Sequence, residues 1–130
     1  MSDESDVLAA NDAFYAAFSS GDADAMELVW AGAAPVCCCH PGWEPLRGRT
    51  QVLASLRAIF AGGPPRLRCS DATVQLLGEV AYVVCTEHLP NGKLIATNLF
   101  VREQGRYRLV HHHAGPVAPQ PAQGKGPVMN

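Results

Sequence analysis

The stretch VAYVVCTEHLPNGKLIATNLFVREQGRYRLVHHHAGP, residues 80–116, decides the fold of this chain, because two short turns separate three apolar segments within it. The segments are rich in Val, Leu, Tyr and Thr, which favour strands. They predict strands at 80–89, 93–102 and 106–114, and residues 66–77 predict a further strand before them. Consecutive strands joined by short turns pair as an antiparallel meander.

The two turns determine which side chains share a face of this sheet. Proline cannot adopt a positive φ, so residues 90–92 are expected to form a type I turn that ends in a left-handed glycine and pairs Leu89 with Lys93. The second turn, interpreted in the same way, pairs Arg102 with Arg106. The concave face is then expected to carry Tyr82, Val84, Thr86, His88, Leu94, Ala96, Asn98, Phe100, Arg108, Val110, His112 and Ala114. The opposite face is expected to carry Val83, Cys85, Glu87, Ile95, Thr97, Leu99, Tyr107, Leu109, His111 and His113.

Upstream of the sheet, apolar residues recur at helical spacing. They predict a first helix over 7–18, a short second helix capped by Asp22, and a third helix near 50–62. Helices followed by an antiparallel meander indicate an α+β fold. Residues 1–116 are expected to form a single domain, and the Pro- and Gly-rich residues 117–130 a mobile tail.

Composition excludes several classes of function. The formal charge of −2 gives no electrostatic attraction for nucleic acid or acidic lipid. No apolar run is long enough to cross a membrane, and the acidic residues at the start of the chain do not resemble a secretion signal. The five cysteines are odd in number and three of them are adjacent at 37–39, which makes a poor disulfide framework. We therefore expect a reducing, cytoplasmic environment.

The order of these elements resembles the SnoaL-like branch of the nuclear transport factor 2-like superfamily. The similarity lies in AFYAAFSSGDADAM (13–26), HPGWEPLRG (40–48), VAYVVCTEHL (80–89) and ATNLFVREQGRYRLVHHHAGP (96–116). It implies a ketosteroid isomerase-like, cystatin-like fold, in which a curved antiparallel sheet wraps around the N-terminal helices as a cone with an internal pocket. It also implies a homodimer through the sheet. Known members include isomerases, polyketide cyclases, dehydratases and non-catalytic association domains, so the resemblance leaves the chemistry open.

His40 is a candidate catalytic residue. It follows a predicted buried strand at 36–39 and precedes Pro41, Gly42 and Trp43. The segment HPGWEPLRG is similar to the Asp-Pro segment of the isomerases, and the resemblance implies that His40 stands where those enzymes place their carboxylate base. Histidine titrates near neutral pH and can serve as a general base. The alternative is a strand-end histidine hydrogen-bonded to the backbone of the turn.

The rest of the isomerase machinery does not carry over. The position of its tyrosine falls on Phe14, with Tyr15 one residue away on a different face of the helix. The position of its acid falls near Thr97 or Asn98, and an amide can donate a hydrogen bond but is not a strong acid. Steroid isomerisation is therefore not expected.

The concave face is nevertheless expected to form a small-molecule site. Asn98 and His112 are predicted to converge there among apolar side chains, which is the usual composition of a ligand pocket. With His40 they are the candidate catalytic residues, and the alternative is an internal hydrogen-bond network that orders the sheet. The candidate ligand-contacting residues are Phe14, Tyr15, Trp30, Trp43, Val84, Thr86, Phe100 and Val110.

The histidine triplet also has the spacing of a metal site. His111 and His113 are expected on the opposite face, about 7 Å apart, on the same face as Glu87. Zinc takes three or four ligands, and Glu87 is expected about 9–10 Å from His113. Packing or a subunit contact is therefore favoured, and neither a metal nor a cofactor is expected.

The sequence favours a small-molecule-binding protein with an apolar cone pocket. One alternative is a lyase- or isomerase-type enzyme that uses His40 as general base on a carbonyl-containing apolar substrate. A second alternative is a metal-dependent enzyme built on the histidines. The expected partners are a small apolar ligand and a second copy of the chain, with no nucleic acid and no membrane.

Overall fold

Helices and a six-stranded sheet build the molecule, as a computed structural model of residues 2–118 describes it. The elements in chain order are α1 (Asp3–Ser20), α2 (Ala23–Val29), β1 (Cys37–Cys39), β2 (Leu46–Arg47), α3 (Arg49–Ala61), β3 (Arg68–Leu77), β4 (Val80–Leu89), β5 (Gly92–Glu103) and β6 (Arg106–Pro116). This confirms the predicted α+β class and the order of its elements. Of the predicted tail, residues 119–130 lie outside the described residues.

Local sequence signals fix where the first two helices begin and end. Ser2 and Ser5 form a capping box at the start of α1, with Ser5 N donating to Ser2 Oγ at 3.1 Å. Gly21 ends α1 in the left-handed conformation, at φ 66°. Asp22 then caps α2 by accepting a hydrogen bond from Ala25 N. The tight Gly21-Asp22 connection folds α2 back against α1, and both helices pack on the sheet.

The strand order in the sheet is β2-β1-β6-β5-β4-β3. The pairs β3–β4, β4–β5 and β5–β6 are antiparallel, which confirms the predicted meander. Strand β1 adds to β6 in parallel, and its register places Cys38 beside His112. This pairing brings the segment that ends at His40 against the histidine triplet.

The first meander turn differs from its prediction by one residue. Pro90 and Asn91 alone form the turn, and Leu89 pairs with Gly92. Gly92 does not adopt the left-handed conformation that the predicted bulge requires. Side chains alternate along a strand, so this shift moves every β4 side chain to the other face relative to β5.

The second turn also differs from its prediction. Gln104 and Gly105 both have positive φ, 53° and 77°, as in a type I′ turn, so Glu103 pairs with Arg106. A β-bulge follows in β6, because Phe100 pairs with Leu109 whereas Leu99 pairs with His111. The turn reverses the faces of Tyr107 and Leu109, and the bulge restores the predicted face of His112.

These two corrections define the two faces of the sheet. The inner face, which packs against the helices, consists of Ala81, Val83, Cys85, Glu87, Leu94, Ala96, Asn98, Phe100, Leu109, His112 and Ala114. The outer face consists of Tyr82, Val84, Thr86, Ile95, Thr97, Leu99, His111, His113 and Gly115. Val84 and Thr86 therefore lie outside the cone and not on its concave face as predicted. Glu87 lies inside. Val110, also predicted on the concave face, is the half-buried extra residue of the bulge.

Candidate functional site

A cluster of polar side chains fills the centre of the inner face. We call it the inner cluster, and its members are Asn11, Tyr15, Glu87, Asn98 and His112. All five side chains are buried, at 0–5% exposure. Asn11 and Tyr15 project together because they lie four residues apart on α1. The other three come from β4, β5 and β6.

Register and side-chain size bring the strand residues together. Asn98 and His112 are direct partners in the β5–β6 pair. Glu87 lies further along β4, opposite Leu94. Ala96 and Ala114 occupy the row between them, and their small side chains leave room for the Glu87 carboxyl. The Glu87 Oε2 atom lies 3.7 Å from His112 Nε2.

Hydrogen bonds connect the inner cluster from end to end. Tyr15 Oη donates to Glu87 Oε2 at 2.6 Å. Asn98 Nδ2 donates to Asn11 Oδ1 at 2.8 Å and to Tyr15 Oη at 3.2 Å. Asn98 Oδ1 lies 2.6 Å from His112 Nδ1. Since this oxygen can only accept, Nδ1 carries the proton and the Nε2 atom of a neutral His112 has its lone pair directed towards the carboxyl group.

Burial changes the proton affinities of these groups. It raises the pKa of the Glu87 carboxyl above its ordinary value, an effect that the hydrogen bond from Tyr15 opposes. It also raises the pKa of the Tyr15 hydroxyl, and the neighbouring Glu87 charge adds to that rise. Burial lowers the pKa of His112 to about 3. The inner cluster therefore holds a neutral imidazole next to a carboxyl group that retains its proton to higher pH than an exposed glutamate.

His40 forms a separate site at the edge of the cluster. Its Nε2 lies 3.0 Å from Ser55 Oγ, and that hydroxyl donates to the Val52 carbonyl. The hydroxyl proton is thereby used, so His40 Nε2 is the donor and Nδ1, 3.7 Å from Cys38 Sγ, carries the lone pair. Burial lowers the pKa of His40. The ring of Trp43, which is 49% exposed, lies edge-on to the buried imidazole, with the ring centroids 4.9 Å apart.

The structure brings some of the predicted site residues together and separates others. Asn98, His112 and Tyr15 share the inner cluster, while His40 lies outside it, next to Cys38, which pairs in register with His112. Phe14, Trp30 and Phe100 are fully buried, and the Phe14 ring contacts His112 at 4.9 Å. The remaining candidates, Trp43, Val84, Thr86 and Val110, lie at the surface loop, the outer face or the bulge.

Sequence reasoning missed one feature of this cluster. The one-residue error in the first turn placed Glu87 outside the cone. Tyr15, a predicted ligand-contacting residue, is buried beside Phe14, and the two rings meet edge to face. One signal could have located Glu87: it is the single carboxylate within an apolar strand whose odd-numbered members are Ala81, Val83 and Cys85.

The other two histidines of the triplet lie on the outer face, as predicted. His111 and His113 have rings 6.3 Å apart, and they pair in register with Cys37 and Cys39. Within residues 2–118, no three His, Cys, Asp or Glu side chains are arranged to hold a metal ion. Glu87, expected beside this pair, belongs to the inner cluster.

No helix in the described part of the chain is long and apolar enough to span a membrane.

Comparison with known proteins gives a consistent result. The family profile of the SnoaL-like domain matches residues 7–119. A proposed dehydratase of the NTF2-like family from Streptomyces avermitilis is 35% identical, with a TM-score of 0.82 over 90% of this chain and 97% of that one. A proposed calcium/calmodulin-dependent protein kinase type II association domain from Thiobacillus denitrificans is 36% identical, with a TM-score of 0.76 over 85% of this chain and 94% of that one.

A curated plant protein also matches. The F-box protein SKIP8 from Arabidopsis thaliana is 24% identical over 111 residues, which are 83% of this chain and 48% of that protein. The chain thus spans about half the length of the curated relative it matches.

Proposed function

This chain belongs to the SnoaL-like domain family, and on that premise we propose that it binds a small, mostly apolar carbonyl compound inside the cone and catalyses a lyase- or isomerase-type reaction on it. The observation that carries the proposal is the meeting of Tyr15, Glu87 and His112 within the apolar interior, with the phenol 2.6 Å from the carboxylate oxygen. The similarity to a proposed dehydratase supports the same class of reaction.

Stability alone does not explain such a cluster. Burying an ionisable carboxyl and an imidazole costs free energy, and replacing buried ionic groups by apolar ones of similar volume is often neutral or stabilising. The fold needs only apolar side chains at these positions, as its neighbours Val83, Phe100 and Leu109 show. Strongly shifted pKa values that occur together inside a cavity-forming fold are a mark of functional sites.

The chemistry assigns a role to each group. In the first step the Glu87 carboxylate takes a proton from the carbon next to the substrate carbonyl, and the electron pair left behind forms an enolate. Once Glu87 has taken this proton, its carboxyl no longer needs the hydrogen bond from Tyr15, and the Tyr15 hydroxyl turns to donate to the enolate oxygen. In an elimination, the bond to a β-hydroxyl then breaks, and the departing hydroxide takes the proton back from Glu87 as water. The raised pKa of Glu87 brings that carboxyl closer to the proton affinity which both transfers require.

His112 and Asn98 act on this arrangement in different ways. The neutral His112 ring packs next to the Glu87 carboxyl and places no positive charge beside it, which would lower the pKa of that carboxyl. Asn98 fixes that ring through Nδ1 and also donates to the Tyr15 oxygen. His40 is the alternative general base, since its Nδ1 carries a lone pair. Substrate access is proposed between Trp43 and His40, where an exposed loop covers the imidazole.

The test measures water elimination from small cyclic β-hydroxy ketones, followed by the ultraviolet absorbance of the conjugated ketone. Glu87→Gln keeps the shape of the side chain and removes its acid–base function, so turnover should fall by about a hundredfold or more. Glu79→Gln, in an exposed turn, is the matched control and should leave turnover unchanged.

The outcomes separate the alternatives. Loss of turnover in His40→Ala together with full turnover in Glu87→Gln would move the base to His40. Saturable binding of the ketones with no product from the wild-type chain would establish a binding protein and not an enzyme.

A second candidate function is association between copies of the chain. The similarity to a proposed kinase association domain favours it, as do the apolar side chains of the outer face, among which Ile95 is 43% exposed. We propose a homodimer in which the two outer faces pack together. Light scattering at micromolar concentration should give the dimer mass, and a monomer would contradict this second proposal.

A further inference from the structure

A cavity of about 430 Å³ opens where the C-terminal end of α2 meets the turn between β5 and β6. Trp30, Arg49 and Arg108 form part of its wall, together with Glu27 and Glu103. We infer that this cavity binds the carboxylate group of a small organic acid. The site goes beyond the proposed reaction, because no residue of the inner cluster lines it.

Arg49 is a fixed part of the wall. Its Nη1 donates to the carbonyls of Trp30 and Ala31 at 2.8 and 3.0 Å, and its Nη2 donates to the Glu27 carbonyl at 2.7 Å. These are carbonyls at the C-terminal end of α2, where cationic side chains are favourable. The guanidinium is thus held at the cavity by backbone oxygens, with no carboxylate among these partners.

Arg108 and Trp30 supply donors that the protein itself does not use. Arg108 Nη1 donates to the Leu28 carbonyl, whereas Arg108 Nε has no partner. Trp30 Nε1 is likewise without a partner, although the residue is fully buried. Among the described residues these are the two buried side-chain nitrogen or oxygen atoms left unsatisfied. Buried N–H groups nearly always have an acceptor, and the two residues that carry these unpartnered N–H groups both line this cavity, so an acceptor bound there would satisfy them.

The surrounding charges favour a carboxylate over other acceptors. The Glu103 carboxylate is already held by the backbone N–H groups of Gly32, Ala33 and Ala34, at 2.8–3.0 Å. The Glu27 carboxylate is paired with Arg57. The backbone hydrogen bonds, that of Ala34 first, lower the pKa of Glu103, and the charge of Arg108 adds to this, so Glu103 offsets part of that charge. A carboxylate offers one oxygen to each orphan N–H and one negative charge to the guanidinium. A doubly charged phosphate would meet more repulsion from the two glutamates, and a neutral carbonyl has one oxygen to share between the two N–H groups and forms weaker hydrogen bonds to a guanidinium.

The experiment follows the indole N–H directly. In a ¹H–¹⁵N correlation spectrum the two tryptophans give two indole peaks, and Trp43→Phe identifies the Trp30 peak by elimination. Sodium benzoate is the probe, with benzyl alcohol as its neutral counterpart and inorganic phosphate as the competing anion. Benzoate should shift the Trp30 peak downfield in a saturable manner, and benzyl alcohol should not.

Variants of the arginine test the same contact. Arg108→Gln retains a donor for the Leu28 carbonyl but loses the charge, and Arg108→Lys retains the charge but loses Nε–H. Each should weaken benzoate binding by about tenfold. Arg66→Gln, an exposed arginine elsewhere, should leave binding unchanged. The Glu87→Gln variant should also bind benzoate normally. Benzoate binding therefore tests this cavity and turnover tests the proposed reaction, so that the failure of one can be distinguished from the failure of the other.

Three results would overturn the inference. One is a Trp30 peak that benzoate does not move. Another is a shift confined to the Trp43 peak, which would place the benzoate at the loop next to His40. The third is a response to phosphate with none to benzoate, which would make the site one for phosphate.

Discussion

The inner and outer faces of β6 show how much one step along a strand changes a side chain. His112 lies inside, 2% exposed, and burial lowers its pKa to about 3. His113, the next residue, is exposed on the outer face and stacks edge-on with His111. The same imidazole is therefore a fixed neutral hydrogen-bonding group on one face and a surface group on the other. Alternation, not residue type, decides which chemistry a histidine performs.

The largest expected effect of this difference is on acid stability. The pKa of His112 falls from 6.5 in the unfolded chain to about 3 in the folded one. Between these values the unfolded chain binds the extra proton, so this group's contribution to stability is complete above pH 6.5 and is lost as the pH falls towards 3. One pKa unit corresponds to about 1.4 kcal/mol, so several kcal/mol should be lost between about pH 7 and about pH 4. Urea unfolding across that range measures the loss.

Two variants make the comparison between the faces. His112→Gln keeps a donor for Asn98 but does not titrate, so its stability should depend much less on pH. His113→Gln should retain the wild-type dependence. The raised pKa of Glu87 acts in the opposite direction, since stability from a carboxyl that keeps its proton is lost as the pH rises from 4.5 through the folded pKa. If both histidine variants lost the same amount of stability at low pH, the effect could not be assigned to His112.

The next effect concerns the amide in the middle of the inner cluster. Asn98→Leu keeps the volume but leaves His112 Nδ1–H and Asn11 Oδ1 without partners in the interior. Each lost partner costs about 1–3 kcal/mol, so the free energy of unfolding should fall by about 3 kcal/mol or more. Thr97→Val, one residue away on the outer face, should change it by less than about 0.5 kcal/mol. Similar losses in the two variants would show that the cluster is not the source of the effect.

The contrast between the faces also explains what could be predicted from the sequence. Apolar periodicity and turn residues located the three helices and four long strands, and β4 matches its predicted bounds. The registers were wrong because Pro90-Asn91 and Gln104-Gly105 both close tighter turns than expected. A one-residue slip reverses a whole strand, so Val84 and Thr86 exchanged faces with Cys85 and Glu87.

Asn98 and His112 were placed together correctly for a reason that the sequence does not display. The error in the second turn and the unforeseen bulge at Val110 cancel, so that His112 returns to the inner face. Bulges depend on contacts across the sheet and leave no local signal comparable to a turn residue. The partnership of Tyr15 with Glu87 joins residues 72 positions apart and depends on the packing of α1 across the sheet, which local patterns do not specify.

A smaller effect is expected when one hydroxyl is removed from each face. Tyr15→Phe removes the hydrogen bond that opposes the rise in the Glu87 pKa, so the pKa of that carboxyl should rise further. The free energy of unfolding should fall by about 1–2 kcal/mol. Tyr82→Phe, on the half-buried outer face, should do neither. Carbon-13 titration of the glutamate carboxyls measures the first quantity and urea unfolding the second. A Glu87 pKa that stays the same or falls in Tyr15→Phe would remove the phenol from its role beside the acid.

The smallest effect on folding should come from the centre of the outer face. Ile95 pairs with Thr86 and Gly115 and is 43% exposed in the single chain, so Ile95→Asp removes little packing within one copy. The stability of the monomer should change by less than about 1 kcal/mol. A proposed homodimer that packs the two outer faces together would instead bury two like charges near its centre, where charged residues are normally depleted. Light scattering should then give the monomer mass, while Gln75→Asp on the peripheral strand β3 should remain dimeric. A dimer that survives Ile95→Asp would place the subunit contact away from the outer face.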